Sequence, residues 1–285
     1  MILTGIINGI IMGGILSLPV LGVAVVYGIT GIPNFAIGLI GVFGGFVTWY
    51  FLSYNLGLAL ILGVGVCFPI GYFLQKILLT PISNRGGDAI LFFVITISLG
   101  FVFEGLTRAI FPRPSISIAL PYLGSFTVGG VTVEVIKLLA LVFALSTLTA
   151  IRLLEIHTKP GQSWQATSRN LKLAKLVGVN TDRVYAVAHG IGCSLACIGA
   201  IFWGSLYNLN VLSGWELGFL GFIIAVVGGI GNVWGGMLSA LLMGLVLSFS
   251  GYFLDGNWQS VLLYAIVITV LIVSPRGILG SERAL

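Results

Sequence analysis

MILTGIINGIIMGGILSLPVLGVAVVYGITGIPNFAIGLIGVFGGFVTWYFLSYNLGLALILGVGVCFPIGYFLQ, residues 1–75, contains no Asp, Glu, Lys, Arg or His. A water-soluble domain of that length needs a charged surface. A chain solvated by lipid does not, because a helix satisfies its own backbone hydrogen bonds and turns apolar side chains to hydrocarbon. The stretch therefore predicts an all-α, polytopic transmembrane helical bundle. The rest of the chain agrees: 58% of its 285 residues are hydrophobic and 7% charged, against roughly 25% charged in a typical soluble domain. At about 20 residues per crossing, the length allows roughly eight to ten spans, with no room for a soluble catalytic domain. Residues 1–285 read as a single integral membrane domain. No basic segment precedes the first apolar run and no small-residue cleavage site follows it, so that run reads as a retained span.

Spans are predicted near residues 4–27, 33–54, 57–79, 89–111, 130–151, 184–207, 216–231, 234–254 and 258–274. The stretch 216–231 is short and Gly-rich, which points to a broken or re-entrant helix. The start of the second span, with Gly31, Pro33 and Asn34, has the same character. The net charge of +5 is concentrated in three places: Lys76 and Arg85; Arg152, Lys159, Arg169, Lys172, Lys175 and Arg183; and Arg276 with Arg283. That clustering is the signature of loops held in the cytoplasm, not of nucleic-acid binding, and the number of crossings between clusters agrees. Three crossings before Lys76 put the N-terminus outside; a re-entrant second segment would put it inside. Trp49 with Tyr50, Trp203 with Tyr207, Trp215 and Trp258 fall at the predicted outer ends as an interfacial belt. Cys67, Cys193 and Cys197 sit in apolar runs and read as small buried filler.

The longest polar stretch, 152–183, is the obvious docking element for something cytoplasmic. Lys159-Pro160-Gly161 breaks the preceding span. Thr167 or Ser168 is placed to cap a short amphipathic helix near 168–177, with Leu173, Ala174 and Val177 on one face and Arg169, Lys172 and Lys175 largely off it. Gly178 is placed to end it in a left-handed cap, and Asn180 or Thr181 to cap the sixth span, with Asp182 in its first turn. Two readings stand: a basic helix lying on the anionic inner leaflet, or a coupling helix fitted to a groove on a partner.

These residues carry a family resemblance. Ala166, Ala174, Gly178 and the run Gly178-Val-Asn-Thr-Asp-Arg-Val184 resemble the cytoplasmic loop of the LivH-type permeases of branched-chain amino acid ABC importers. Val26-Tyr-Gly-Ile-Thr-Gly-Ile-Pro-Asn-Phe-Ala-Ile-Gly38 resembles that family's V-Y-G-x-x-G-x-x-N-F-A-H-G signature. Ala225-Val-Val-Gly-Gly-Ile-Gly-Asn-Val-Trp-Gly-Gly236 and Ser274-Pro-Arg-Gly-Ile-Leu-Gly280 are similar to further family segments, so the likeness covers nearly the whole chain. Two departures stand out. The signature His is Ile37, and the loop carries Arg169 and Asn170 where acidic residues are usual, which implies a docking surface of altered charge. The resemblance implies half of a translocation path in a bacterial inner membrane. A paralogous second permease would complete it, two cytoplasmic ATPases would bind below, and a periplasmic binding protein would deliver branched-chain or other neutral amino acids. Urea or short amides are the alternative substrates. No Gly-Lys dipeptide occurs, hence no Walker A loop, so ATP and Mg are expected on partner subunits and no cofactor on this chain. The implied ATPase-coupling residues are Ala166, Arg169, Asn170, Leu173, Ala174, Val177 and Gly178.

Gly31-Ile-Pro-Asn-Phe-Ala-Ile-Gly38 and Gly229-Ile-Gly-Asn-Val-Trp-Gly-Gly236 share the pattern G-I-x-N-x-x-x-G, either by coincidence or as a remnant of duplication. Interrupted helices in transporters often expose backbone to substrate. Gly31, Pro33, Asn34, Phe35, Gly38, Gly231, Asn232 and Gly235 are therefore candidates for helix breaks or the translocation path, with capping and packing as the competing roles of Asn34 and Asn232. Gly9-x-x-x-Gly13, Gly41-x-x-x-Gly45 and Gly231-x-x-x-Gly235 read as packing seams, in this chain or against the paired permease. Glu104 with Arg108, and Glu134 with Lys137, read as ion pairs at the outer face, with a proton relay as the alternative. A contact with a docked binding protein is open to Glu134 and Arg113. His189 reads as a hydrogen-bonded packing residue before a proton carrier. No H-E-x-x-H or G-x-S-x-G occurs, which argues against an intramembrane hydrolase. A carrier or channel acting alone is disfavoured by the loop and by the scarcity of midplane charge.

Overall fold

The computed structural model describes residues 2–121, 124–128, 131–229, 231–253 and 256–280; Arg283 and part of the second Gly-Asn pattern, Ile230, lie outside them. Each of the nine apolar stretches folds as a helix. The first is α1 (Ile2–Thr30), followed by α2 (Ala36–Phe51) and α3 (Leu56–Leu74). A five-residue π-helical segment, Gln75–Leu79, then runs into α4 (Thr80–Asn84). After α5 (Ala89–Ile110) come three short strands, β1 (Ser115–Ile116), β2 (Ser125–Val128) and β3 (Val131–Glu134). The long helix α6 (Val135–His157) is followed by α7 (Lys159–Arg169), α8 (Leu171–Leu176) and α9 (Thr181–Leu206). The chain closes with β4 (Leu209–Asn210), α10 (Ser213–Gly228), α11 (Val233–Phe253) and α12 (Gly256–Val273).

Six helices of the described residues are long and apolar enough to cross a membrane. The other three predicted spans, the second, seventh and ninth, are not among them; α2 and α10 have 16 residues each. Those two pack on each other, with Gly38 against the backbones of Gly214 and Gly218. The fifth span also starts later than predicted. Residues 125–128 and 131–134 pair as antiparallel strands, Ser125 opposite Glu134, before α6 begins. Thr127, Val131, Thr132 and Val133 give that pair the β-branched content strands favour.

The two ends of the bundle are chemically distinct. Ile32 packs with Leu79 and Phe92, so the exit of α1, the exit of α3 and the entry of α5 share one end. Gly28 meets Gly231, which adds the entry of α11. The basic clusters lie at this end. At the other, β1 pairs with β4, tying the exit of α5 to that of α9. Ile2 starts α1 at this second end, which agrees with three traverses before the basic turn at 76–85.

The centre is α1. Leu18, Val20, Leu21 and Val26 are wholly buried, and the helix lies against α6, α9, α10 and α11. Small residues allow this. A Cβ on Gly9 would lie 2.7 Å from Leu245 Cα, and one on Gly13 2.6 Å from Leu241 Cα. The first Gly-x-x-x-Gly seam therefore packs within this chain, against α11. The second does likewise: Gly41 faces Ala196 of α9 and Gly45 faces Leu209. Pro19 sits inside α1 with its ring against Gly199, which has no side chain to obstruct it. Cys67, Cys193 and Cys197 are free and buried where α2, α3 and α9 meet, and Cys67 Sγ donates to the Ile40 carbonyl at 3.3 Å.

Candidate functional site

Residues 152–183 fold as a capped elbow at the basic end. Thr158 ends α6 and starts α7, its hydroxyl accepting from Gly161 N–H at 3.1 Å. Pro160 occupies the first turn of α7, where a missing N–H costs nothing. Gly161 lies against the Leu154 carbonyl, so α7 doubles back tightly on α6. The single amphipathic helix predicted near 168–177 is in fact two. Thr167 and Ser168 lie inside α7, and Asn170 is the cap: it is extended, and its side chain accepts from Leu173 N–H at 3.0 Å. An Asn at the junction of two helices competes well for orphan donors, and here that competition breaks the helix. Gly178 has φ +84°, and Val179 N–H reaches back to the Ala174 carbonyl at 3.0 Å, closing a Schellman turn. Asn180 then caps α9 through Arg183 N–H at 3.0 Å.

The placement of the apolar residues differs from expectation at one position. Ala174 is 2% exposed, so it faces this chain's own body and not a partner. Leu173 (59% exposed), Leu176 (81%) and Val177 (76%) point outward, joined by Leu171. Residues 173, 174 and 177 do share a helical face, but the Schellman turn folds the chain back over that side and leaves Ala174 inside. Ala166 is half-buried on α7, and Arg169 and Asn170 are exposed. Leu176 was absent from the sequence reading; its position beside Leu173 and Val177 in the same short helix was the signal.

The two Gly-Asn segments have matching local geometry. Gly31 (φ +68°) and Gly229 (φ +105°) both turn the chain left-handed, a region that favours glycine. Three residues on, each Asn accepts from the start of the next helix: Asn34 Oδ1, one residue before the Phe35 N-cap, from Ala36 N–H at 2.9 Å, and Asn232 Oδ1 from Trp234 and Gly235 N–H at 3.0 and 3.2 Å. The flanking helices do not match in length: 29 then 16 residues around the first break, 16 then 21 around the second. The likeness is confined to the breaks. Their surroundings differ as well. The first is an extended segment inside the bundle, with Ile32, Asn34 and Phe35 buried, the Pro33 carbonyl facing Thr96 Oγ1 at 3.5 Å, and the Phe35 ring against Phe93, Phe219 and Phe222. Gly31 itself is exposed, so its turn, not close packing, demands glycine there. Over the second lies the segment after α12: Ile278 and Leu279 N–H bond to the carbonyls of Val227 and Gly228, and Asn232 Nδ2 donates to the Leu279 carbonyl at 2.8 Å. Gly235 packs on Gly228. Both polar groups of the Asn232 side chain are thus engaged within the chain. Ile37, at the signature His position, is fully buried.

At the opposite end, Arg108 pairs with Glu104 at 3.0 Å and Lys137 with Glu134 at 3.8 Å. Trp215 Nε1 also donates to Glu104 Oε2 at 2.8 Å, which ties α5 to α10; the spacing of residues 104 and 215 gave no hint of it. Arg113 stands over the Trp49 ring at 5.4 Å. Trp215→Phe keeps a ring against Phe101 and Phe219 but removes the bond. A hydrogen bond to a charged group contributes about 1.5–3 kcal/mol, so the detergent-solubilised protein should melt several degrees lower. An unchanged melting temperature would show that the bond carries no net stability. His189 is buried, with Nδ1 3.1 Å from the Tyr185 carbonyl. No group of three or more metal-ligating side chains occurs among the described residues.

Residues 5–271 match the family described as the permease component of branched-chain amino acid transport systems. The chain belongs to that family. It is 27% identical over 296 residues to the high-affinity branched-chain amino acid transport system permease protein LivH of Escherichia coli strain K12, covering 97% of this chain and 94% of that one. It is 27% identical over 297 residues to the corresponding protein BraD of Pseudomonas aeruginosa (98% and 95% covered). It is 22% identical over 297 residues to the probable branched-chain amino acid transport permease protein LivH of Methanocaldococcus jannaschii (99% and 93%). No solved structure matches. As a family member with six helices fit to cross a bilayer, the chain is a multi-pass membrane protein and a transport subunit, not itself an enzyme.

Proposed function

We propose that residues 1–285 form one permease domain of an ABC importer for branched-chain or other neutral amino acids in a bacterial inner membrane. A paralogous permease completes the path, two ATPases carrying ATP and Mg dock at the basic, cytoplasmic end, and a periplasmic binding protein delivers substrate at the other. The observation that carries this reading is α8. It presents Leu173, Leu176 and Val177 outward beside Arg169, Lys172 and Lys175, and both its ends are capped. Exposed apolar groups on a rigid basic knob suit a groove on an ATPase. Asn180 joins α8 to α9 directly, so a push on the knob moves a helix packed along α1, α2 and α3. Ala166, Asn170, Ala174 and Gly178 hold the knob in shape; Arg169, Leu173 and Val177 touch the partner. The interrupted backbone at 31–35 lines the path, whereas Gly38 packs α2 on α10 and Gly231, Asn232 and Gly235 hold the α10–α11 turn.

Two experiments test this. Vesicles containing the chain with its ATPase and permease partners should take up labelled leucine, isoleucine or valine only with ATP and binding protein. Uptake of urea or short amides in their place would reassign the substrate, and ATP-independent uptake would remove the importer reading. For orientation, the three native cysteines are buried, so introduced ones can be read cleanly. Lys172→Cys should react with impermeant thiol reagents only from the cytoplasmic side. Tyr54→Cys, in the exposed turn between α2 and α3, should react only from outside. Labelling of Lys172→Cys in intact cells would invert the topology.

A further inference from the structure

A cavity of about 550 Å³ opens at the basic end between α6, α7 and the start of α9. Its inner wall is apolar: Leu154 of α6 and, on α9, Val184, Val187 and Ile191. Those three α9 residues share one face and run about 10 Å along it at 1.5 Å per residue, from the basic end toward the middle of the span. Its mouth is of opposite character. Thr158 and Asn180, the N-caps of α7 and α9, both line it; α6 ends at the same Thr158, so of the helix ends only the N-terminus of α9 adds uncompensated positive character there. Lys159 and Arg183 stand beside those caps, and neither forms an ion pair among the described residues. Glu155, the nearest acid on α6, is already engaged by Arg152 at 2.7 Å. Trp164 also lines the cavity, and its buried Nε1 donor has no acceptor among the described residues.

A soluble anion needs the cations but not the apolar shaft. An apolar peptide or tail needs the shaft but not the cations. We propose that the cavity binds one anionic glycerophospholipid, its phosphate at Lys159 and Arg183 and an acyl chain along Val184, Val187 and Ile191. The cations at the mouth fit phosphate oxygens. The site lies where a lipid headgroup would sit, beside the elbow that carries α8, and holds α7 against α9. This inference does not depend on which substrate is carried.

Native mass spectrometry of the purified complete transporter tests it, with phosphatidylglycerol and phosphatidylcholine of identical chains as probes. Basic side chains near an anionic lipid surface strengthen its binding, so two of them should favour retention of phosphatidylglycerol by roughly tenfold or more. Lys159→Gln with Arg183→Gln should abolish that preference, while Lys159→Arg with Arg183→Lys should keep it. Val187→Trp, which fills the shaft, should reduce retention of both lipids. Excess inorganic phosphate should leave phosphatidylglycerol bound; displacement would reassign the site to a soluble anion and overturn the proposal. Equal retention of the two lipids by the wild type would overturn it as well. So would a Gln double variant that sheds the ATPase yet keeps its preference, because the cations would then belong to a protein contact. Lipid retention is read without transport, so failure of the importer reading is seen separately in uptake.

Discussion

Gly13→Leu should reduce the folded protein recovered from the membrane several-fold. The new Cβ would lie 2.6 Å from Leu241 Cα and 2.8 Å from the Ala240 carbonyl. Both obstacles are backbone, so no side chain can swing aside and the helices must part. Overpacking ordinarily costs about 1–3 kcal/mol, and separating α1 from α11 also opens the contacts of Gly9 and Gly5 along the same seam. Losses of about 1–2 kcal/mol already change abundance several-fold. Gly65→Leu is the control. It lies exposed on α3 with nothing within 4 Å of its Cβ position, so it should accumulate normally. Size-exclusion recovery of both variants after mild solubilisation checks the pair, and equal recovery would mean that α1–α11 contact is not what holds the bundle.

Leu176→Glu should uncouple the permease while leaving it intact. The side chain is 81% exposed, and exposed substitutions usually change stability by less than about 0.5 kcal/mol. In a docked groove, an unpaired buried charge costs about 3–5 kcal/mol. At about 1.4 kcal/mol per decade, that weakens docking roughly a hundredfold or more. The variant should reach the membrane at wild-type level, copurify with little ATPase and lose substrate-stimulated ATP hydrolysis. Leu176→Lys separates docking from lipid contact. A helix lying on anionic lipid tolerates an added cation, whereas an apolar groove does not. Normal ATPase recovery in both variants would remove α8 from the coupling role.

Spans were legible wherever one principle governed them. Residues 1–75 carry no charge, and lipid solvation alone explains that, so three helices could be placed from composition. The short α2 and α10 were also readable, from Gly31-Ile-Pro-Asn34 and from the Gly-rich 216–231. What the sequence did not disclose depended on the folded chain. Asn170 looked like one more polar residue in an amphipathic helix; whether it continues that helix or caps a new one is a contest between two small free energies. Ala174 shared a face with Leu173 and Val177, and only the return of Val179 onto its carbonyl turned it inward. Glu134 read as the outer start of the fifth span because the β-branched strand 131–134 resembles the apolar start of a helix. The bond between Glu104 and Trp215 joins residues 111 positions apart, beyond the reach of any periodicity. The proposed lipid site is similar: Lys159 and Arg183 looked like ordinary loop cations until α7 folded back beside α9.

The burial of α1 has a consequence for biogenesis. Synthesis proceeds from the N-terminus, so α1 enters the bilayer while the helices that will surround it are still unmade. Gly22 finds Gly192, and Gly5 finds Phe249, only after 170 to 244 further residues have emerged. During that interval lipid must cover a face shaped for backbone-to-backbone contact. The nascent protein therefore starts with its eventual centre at its periphery, and folding has to bring late helices around an early one. Such distant pairings make for slow closure. The glycines of α1 thus serve two environments in turn: bare enough to sit in lipid unpaired, and flat enough to admit α9 and α11 when they arrive.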